Sequence, residues 1–247
     1  NLDHVQVDDF IRPCPVDASG PDFFLYDISW VNFVNGQPDL PQLSAETGVE
    51  VSDLASLRRA MEEVFARNAK TAIAIKSQHA YARTLLWQPR SDHEAAQALS
   101  IYLRDPSAMS EADRLCLGDW SLAQGVQLGI DHDLPFKIHT GYYAGHSRMP
   151  TQRIPAGHLS GLLHAYPQAR FVLMHIAYPY SDEMVALAKH YPNTYVDLCW
   201  AWSIDPFSTA NFVRQCIHAV PANKLFIFGG DTFLPAGTRT LQRIAMT

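Results

Sequence analysis

The 247-residue chain is 47% hydrophobic and 18% charged, the proportions of one soluble globular domain with enough apolar mass for a large core. Its 19 Lys and Arg against 25 Asp and Glu leave a net charge of −6 with no dense basic run, which excludes nucleic acid and anionic membrane as expected partners. No run approaches 18 apolar residues, the start Asn1-Leu-Asp-His has no signal-peptide pattern, and Cys14, Cys116, Cys199 and Cys216 are too scattered for a disulfide framework, so the expected setting is cytoplasmic.

In chain order, apolar runs predict buried strands at Phe23 to Ile28, Thr71 to Ile75, Phe136 to His139, Phe171 to His175, Thr194 to Leu198 and Leu225 to Phe228, with a weaker one at Val5 to Phe10. Runs of that length, apolar throughout, suit parallel strands covered on both faces. Between them lie helical patterns. The clearest covers residues 51–67, where Leu54, Leu57, Met61, Val64 and Phe65 recur at steps of three and four behind Ser52 or Asp53 as N-cap. Further helices are predicted at Asp92 to Leu103, Ser110 to Gly129, Ala156 to Tyr166, Asp182 to Tyr191 and Ser208 to Val220, several closed by a following Pro.

Repeated strand-then-helix order implies a parallel sheet with right-handed crossovers. No Gly-rich fingerprint follows the first strand, which favours a closed (β/α)8 TIM barrel over a doubly wound sheet. Residues 31–50 and 140–155 read as long linkers that shape a pocket at the strand ends. The chain begins without Met and stops in Leu241-Gln-Arg-Ile-Ala-Met-Thr247, an apolar helical pattern just begun. The expectation is therefore one TIM-barrel domain over residues 1–247, incomplete at its N-terminus, where the first strand is missing, and at its C-terminus.

Three strands end in side chains that bind metals: His139, His175 and Asp231. Barrel enzymes keep their chemistry at the C-terminal ends of the strands, so these three ends point to one mouth. Neutral imidazole and carboxylate suit Zn²⁺ first, then Mn²⁺ or Fe²⁺, with a position left open for water. Asp231 can also accept the proton of a metal-activated water. Lys76 ends another strand and serves either a substrate carboxylate or, if carboxylated, a metal bridge; the alternative is a Lys snorkelling to solvent.

Tyr81 and Arg83 follow closely as weaker candidates for an anion. Asp27 interrupts an apolar strand and needs partners wherever it is buried. On the loop after His139, Tyr142, Tyr143, His146, Arg148 and Arg153 are candidates for substrate contact, Arg being suited to bidentate carboxylate recognition. Asp197 and Trp200 line the same end or pack the core. His79 and the remaining histidines receive no ligand role.

These motifs, Lys137-Ile-His-Thr-Gly-Tyr, Met174-His-Ile-Ala-Tyr-Pro-Tyr, Tyr191-Pro-Asn-Thr-Tyr-Val-Asp-Leu and Gly229-Gly-Asp-Thr, resemble the amidohydrolase superfamily. Within it, the likeness is to predicted TIM-barrel metal-dependent hydrolases, including the domain fused to glutamine synthetase-like proteins. The resemblance covers roughly residues 70–235.

It implies a distorted barrel whose metal is held by a His-x-His on the first strand, a His on the fifth, in some members a His on the sixth, and an Asp on the eighth. His139, His175 and Asp231 would take the last three places. No His-x-His occurs in this sequence, so the expectation is that the first strand lies upstream; the alternative is a barrel that has lost two ligands and with them metal and catalysis.

The implied function is metal-dependent hydrolysis of an amide, ester or lactone of a small, carboxylated substrate, with Asp231 shuttling the proton and His175 binding metal or orienting the oxyanion. Decarboxylation of aromatic acids and isomerisation of sugar acids are the alternatives on the same barrel. Exposed barrel helices leave room for a homo-oligomer.

Overall fold

The computed structural model describes residues 4–7, 24–144 and 148–231. His146, Cys14 and the helical pattern at Leu241 lie outside the described residues. The chain folds as two compact units, residues 1–83 with 88–136 and residues 84–87 with 137–247.

In the first unit, β1 (Val5–Val7), β2 (Phe24–Ser29) and β3 (Ala72–Ser77) pair in parallel and in chain order. The register sets Asp27 against Ala74, Ile28 against Ile75 and Ser29 against Lys76. Between β2 and β3 come α1 (Val31–Val34), α2 (Leu40–Thr47) and α3 (Leu54–Asn68).

The predicted stripe holds: Leu57, Met61, Val64 and Phe65 of α3 are fully buried. Asp53 caps the helix by accepting from Ser56 N at 2.7 Å, which satisfies an amide that the first turn leaves without a carbonyl. Trp30, Phe33 and Phe65 meet ring to ring at 4.3 and 5.4 Å and anchor the core here. After β3 come α4 (Asp92–Arg104) and α5 (Glu111–Asp131).

The reading of residues 31–50 as linker is corrected, since α1 and α2 occupy it. Asp39 caps α2, Pro41 sits in its first turn, where no amide donor is needed, and left-handed Gly48 closes it. Arg83 is also corrected as an anion candidate. It is buried, with Nη2 donating to Asp119 Oδ1 at 2.5 Å and Nη1 to Val34 O at 3.2 Å, and Arg90 Nε approaches the same carboxylate at 3.3 Å.

β4 (Phe136–Ile138) leads into the second unit, where β5 (Phe171–Met174), β6 (Thr194–Asp197) and β7 (Leu225–Phe226) again pair in parallel and in chain order. The connecting helices are α6 (Ser160–Ala165), α7 (Ser181–His190), α8 (Ala201–Ile204) and α9 (Pro206–Ala219). The helix predicted from Ala156 begins as a 3-10 turn, Ala156–Leu159, before α6. Parallel strands in chain order with helical crossovers are the pattern of an incomplete α/β barrel; seven strands stand among the described residues. No helix among them is long and apolar enough to cross a membrane.

Candidate active site

Register decides where the second unit puts its chemistry. Met174 of β5 pairs with Asp197 of β6, and Asp197 with Phe226 of β7, so the residues that follow leave the sheet along one rim. Trp200 N donates to Gly229 O at 2.8 Å and ties two of these exits together.

His139 follows β4 and is buried. Its Nε2 lies 2.7 Å from Tyr142 O; because a carbonyl only accepts, Nε2 carries the proton and, in the neutral ring, Nδ1 holds the lone pair. The turn that permits this passes through Gly141 at φ 68°, where a Cβ would come within 2.6 Å of Tyr178 N. Only glycine fits that approach.

His175 is fully buried and its ring centroid lies 4.5 Å from that of His139, at 62°. Its Nδ1 is 2.6 Å from Cys199 O, which fixes the proton on Nδ1 and leaves the lone pair of the neutral ring on Nε2. A backbone carbonyl orienting an imidazole in this way is the usual outer support of a metal-binding histidine. His175 Nε2 faces Asp231 Oδ2 at 3.8 Å. That exceeds hydrogen-bond length but matches two ligands each about 2 Å from a shared ion.

The backbone here is strained. His175, Ile176 and Ala177 have φ of 65°, 50° and 51°, Trp200 68° and Asp231 45°. Left-handed residues other than glycine cost on the order of 1–3 kcal/mol each and persist where the surroundings fix them, most often at functional sites. Here they fall just beyond β5, β6 and β7. Thr140 Oγ1 donates to Met174 O and holds the turn after β4 against the end of β5.

Aromatic rings frame the imidazoles. Trp200 meets His175 edge-on at 5.6 Å, Tyr143 lies 6.4 Å from His139, and Tyr142 stacks on Tyr178 at 4.4 Å and 9°. Burial, then Asp205, then Tyr178, raise the Tyr142 phenol above its ordinary pKa, so it stays protonated.

A family model described as amidohydrolase matches residues 103–247, more than half of the chain. The chain belongs to the amidohydrolase family. Among curated proteins, it is 26% identical over 204 residues to Protein fluG of Emericella nidulans, covering 74% of this chain and 23% of that protein. Its fold matches the glucuronate isomerase of Caulobacter crescentus with TM-score 0.76 at 16% identity, over 98% of this chain and 56% of that one. It also matches the uronate isomerase of Thermotoga maritima with TM-score 0.73 at 11% identity, over 90% and 53%. A Lactobacillus casei ATCC 334 protein described as a metal-dependent hydrolase gives TM-score 0.70 at 20% identity, over 91% and 56%. The chain thus spans about half the length of these solved structures and a quarter of the curated relative.

In this family member, His139, His175, Asp231, Tyr142 and Trp200 lie in one unit and meet at one rim. Among the described residues no group of three or more His, Cys, Asp or Glu gathers closely enough to form a metal cage. The donor set nevertheless fits a divalent cation: two imidazoles whose protons are held by carbonyls, and a carboxylate 39% exposed.

Arg148 is exposed and Arg153 half-buried on the turn Thr151–Arg153, and neither guanidinium is engaged among the described residues. Lys76, buried at the end of β3, and Asp27, which accepts from Gln6 Nε2 at 2.7 Å, belong to the first unit. Asp197 is spent on its own turn, accepting from Cys199 N at 2.8 Å.

Sequence reasoning passed over two residues. Tyr178 was signalled only by its place beside Pro179 after His175. His79 was signalled by following a strand end directly, yet it is 1% exposed, with Nδ1 2.9 Å from Ser77 Oγ.

Proposed function

We propose that this chain carries the later-strand part of a divalent-metal site, formed by His139, His175 and Asp231, and serves metal-dependent hydrolysis of a small carboxylated substrate. The observation that carries the reading is the meeting of the two imidazoles with Asp231 at 3.8 Å from His175 Nε2. His175 would bind through Nε2 and His139 through Nδ1, the nitrogens that do not face those carbonyls. Zn²⁺, or Mn²⁺ or Fe²⁺, held there would polarise a substrate carbonyl and lower the pKa of a water.

Asp231 is the more exposed of the three, so its Oδ2 accepts the proton of the attacking water and returns it to the leaving group. His175, pinned by Cys199 O, keeps its orientation through the cycle. Arg148 and Arg153 are the cations proposed to receive the substrate carboxylate, and Tyr142 is its proposed contact on the loop after His139. Cys116, Cys199 and Cys216, widely separated and in no disulfide among the described residues, support a reducing, cytoplasmic setting.

The two isomerase relatives support a second reading, isomerisation of a sugar acid, in which the same proton acceptor serves. The purified chain, supplied with Zn²⁺ or Mn²⁺, is to be assayed with 4-nitrophenyl acetate, a γ-lactone, a dipeptide and D-glucuronate. Turnover of one of these, lost in Asp231→Asn, is expected. Inertness towards all four in metal-replete protein would refute both readings, and turnover that survives Asp231→Asn would remove Asp231 as proton acceptor.

A further inference from the structure

The hydroxyl of Tyr142 is buried and has no hydrogen-bond partner among the described residues. Every other part of the residue is engaged. Its backbone oxygen accepts from His139 Nε2 at 2.7 Å, its ring stacks on Tyr178 at 4.4 Å, and it meets Trp200 edge to face with ring centroids 6.1 Å apart. The residue as a whole is 7% exposed, so bulk water does not supply the missing bond.

Buried tyrosine hydroxyls normally find a partner. A phenylalanine here would keep the stack, the edge contact and the backbone bond, without the cost of stripping water from a phenol. Folding therefore does not account for the oxygen. Its position is also well fixed: Gly141 forces the close turn, the stack holds the plane of the ring, and Trp200 links it to His175, whose ring lies 5.6 Å from the same indole. A donor so oriented, and left unsatisfied among the described residues, is prepared for a group that arrives later.

We propose that the Tyr142 hydroxyl donates a hydrogen bond to an oxygen of the bound substrate, beside the His139 and His175 pair. The assignment rests on the functional reading above and goes beyond it by naming the donor atom. It makes Tyr142 a specificity residue: a site built to bond a substrate oxygen discriminates against analogues lacking it, because the hydroxyl is then left unpaired. The favoured substrate presents a carboxylate, carbonyl or hydroxyl oxygen to the phenol.

The test compares wild type with Tyr142→Phe by two readouts. In thermal unfolding without added metal or substrate, the variant is expected to melt at the same temperature as wild type or a few degrees higher, since it loses only an unsatisfied group. With Zn²⁺-loaded protein and 4-nitrophenyl acetate or D-glucuronate, kcat/KM is expected to fall about tenfold, the loss of one hydrogen bond to substrate.

A lower melting temperature would overturn the proposal, because the hydroxyl would then have a structural partner. Wild-type turnover undiminished in Tyr142→Phe would overturn it while leaving the functional reading intact. If wild type is inert towards these two, the comparison is made with the γ-lactone and the dipeptide, and inertness towards all four would overturn the two together.

Discussion

At the scale of single residues, His79 should register in the pH dependence of stability. Burial first, and then the neighbouring Arg83, hold its pKa well below the ordinary 6.5. The native state keeps the ring neutral while the unfolded chain takes up a proton near 6.5, so the unfolded state binds more protons below that value. Stability is therefore full above about pH 6.5 and is lost as pH falls towards the depressed native pKa.

Denaturant unfolding at about pH 7 and about pH 5.5 should show this loss, and His79→Gln should shallow the slope by up to about 1.4 kcal/mol per pH unit. An identical slope in the variant would sink the idea. A second prediction concerns Gly141→Ala. Its Cβ would meet backbone, Tyr178 N at 2.6 Å, at a φ of 68°, so nothing flexible can yield. The expected cost is about 1–3 kcal/mol or more by chemical denaturation, and a variant as stable as wild type would show that the turn relaxes.

The two rim histidines, His139 and His175, were legible because a buried apolar run followed by His has few readings. The stack of Tyr142 on Tyr178 was not, because it depends on Gly141 and on three consecutive left-handed residues after β5, which no propensity specifies. His79 was missed because β3 runs on to Ser77 rather than stopping at Ile75, and that carries the next turn into the interior.

At the scale of elements, the helices are held at their starts by paired side-chain and backbone bonds. Ser91 with Glu94 opens α4 and Ser110 with Asp113 opens α5, each pair exchanging bonds in both directions. Ser110→Ala should destabilise the protein by about 1 kcal/mol, measured as a shift of the denaturation midpoint at constant slope; no shift would mean that packing alone holds the end of α5.

The backbone bond from Ser91 holds the Glu94 carboxyl below its ordinary pKa, and the hydroxyl bond from Ser110 does the same for Asp113. Both contributions are present above about pH 4.5 and vanish as pH falls through the lowered values, so helical signal should erode at the acid end. The starts of both helices were readable in the sequence, at Asp92 and within a residue of Ser110. By contrast α1 and α2 hid in residues 31–50, where Asn, Gly and Pro suggest loop; Asp39, Pro41 and Gly48 were the start and stop signals of a short helix, outweighed by the polar stretch before them.

At the scale of the whole molecule, strand order was legible because parallel strands separated by amphipathic helices permit few topologies, and solved structures covering 90–98% of the chain share that fold. The completeness of the metal site was not legible, since it depends on donors brought together from distant strands. The chain supplies two imidazoles and one carboxylate at one rim and contains no His-x-His.

Three donors predict measurable but weak binding, which appears as linkage: Zn²⁺ that binds only the native state stabilises it by about 2.7 kcal/mol when free metal is a hundredfold above Kd. The unfolding midpoint should therefore rise with Zn²⁺ concentration, and the rise should shrink as pH falls and protons compete with the metal for the imidazoles. His175→Gln should abolish the rise, because the Nε2 set by Cys199 O is lost. His190→Gln, at the exposed end of α7, should leave it unchanged. A Zn²⁺ shift that persists in His175→Gln would place the metal elsewhere and detach the two histidines and Asp231 from catalysis, whatever turnover the chain displays.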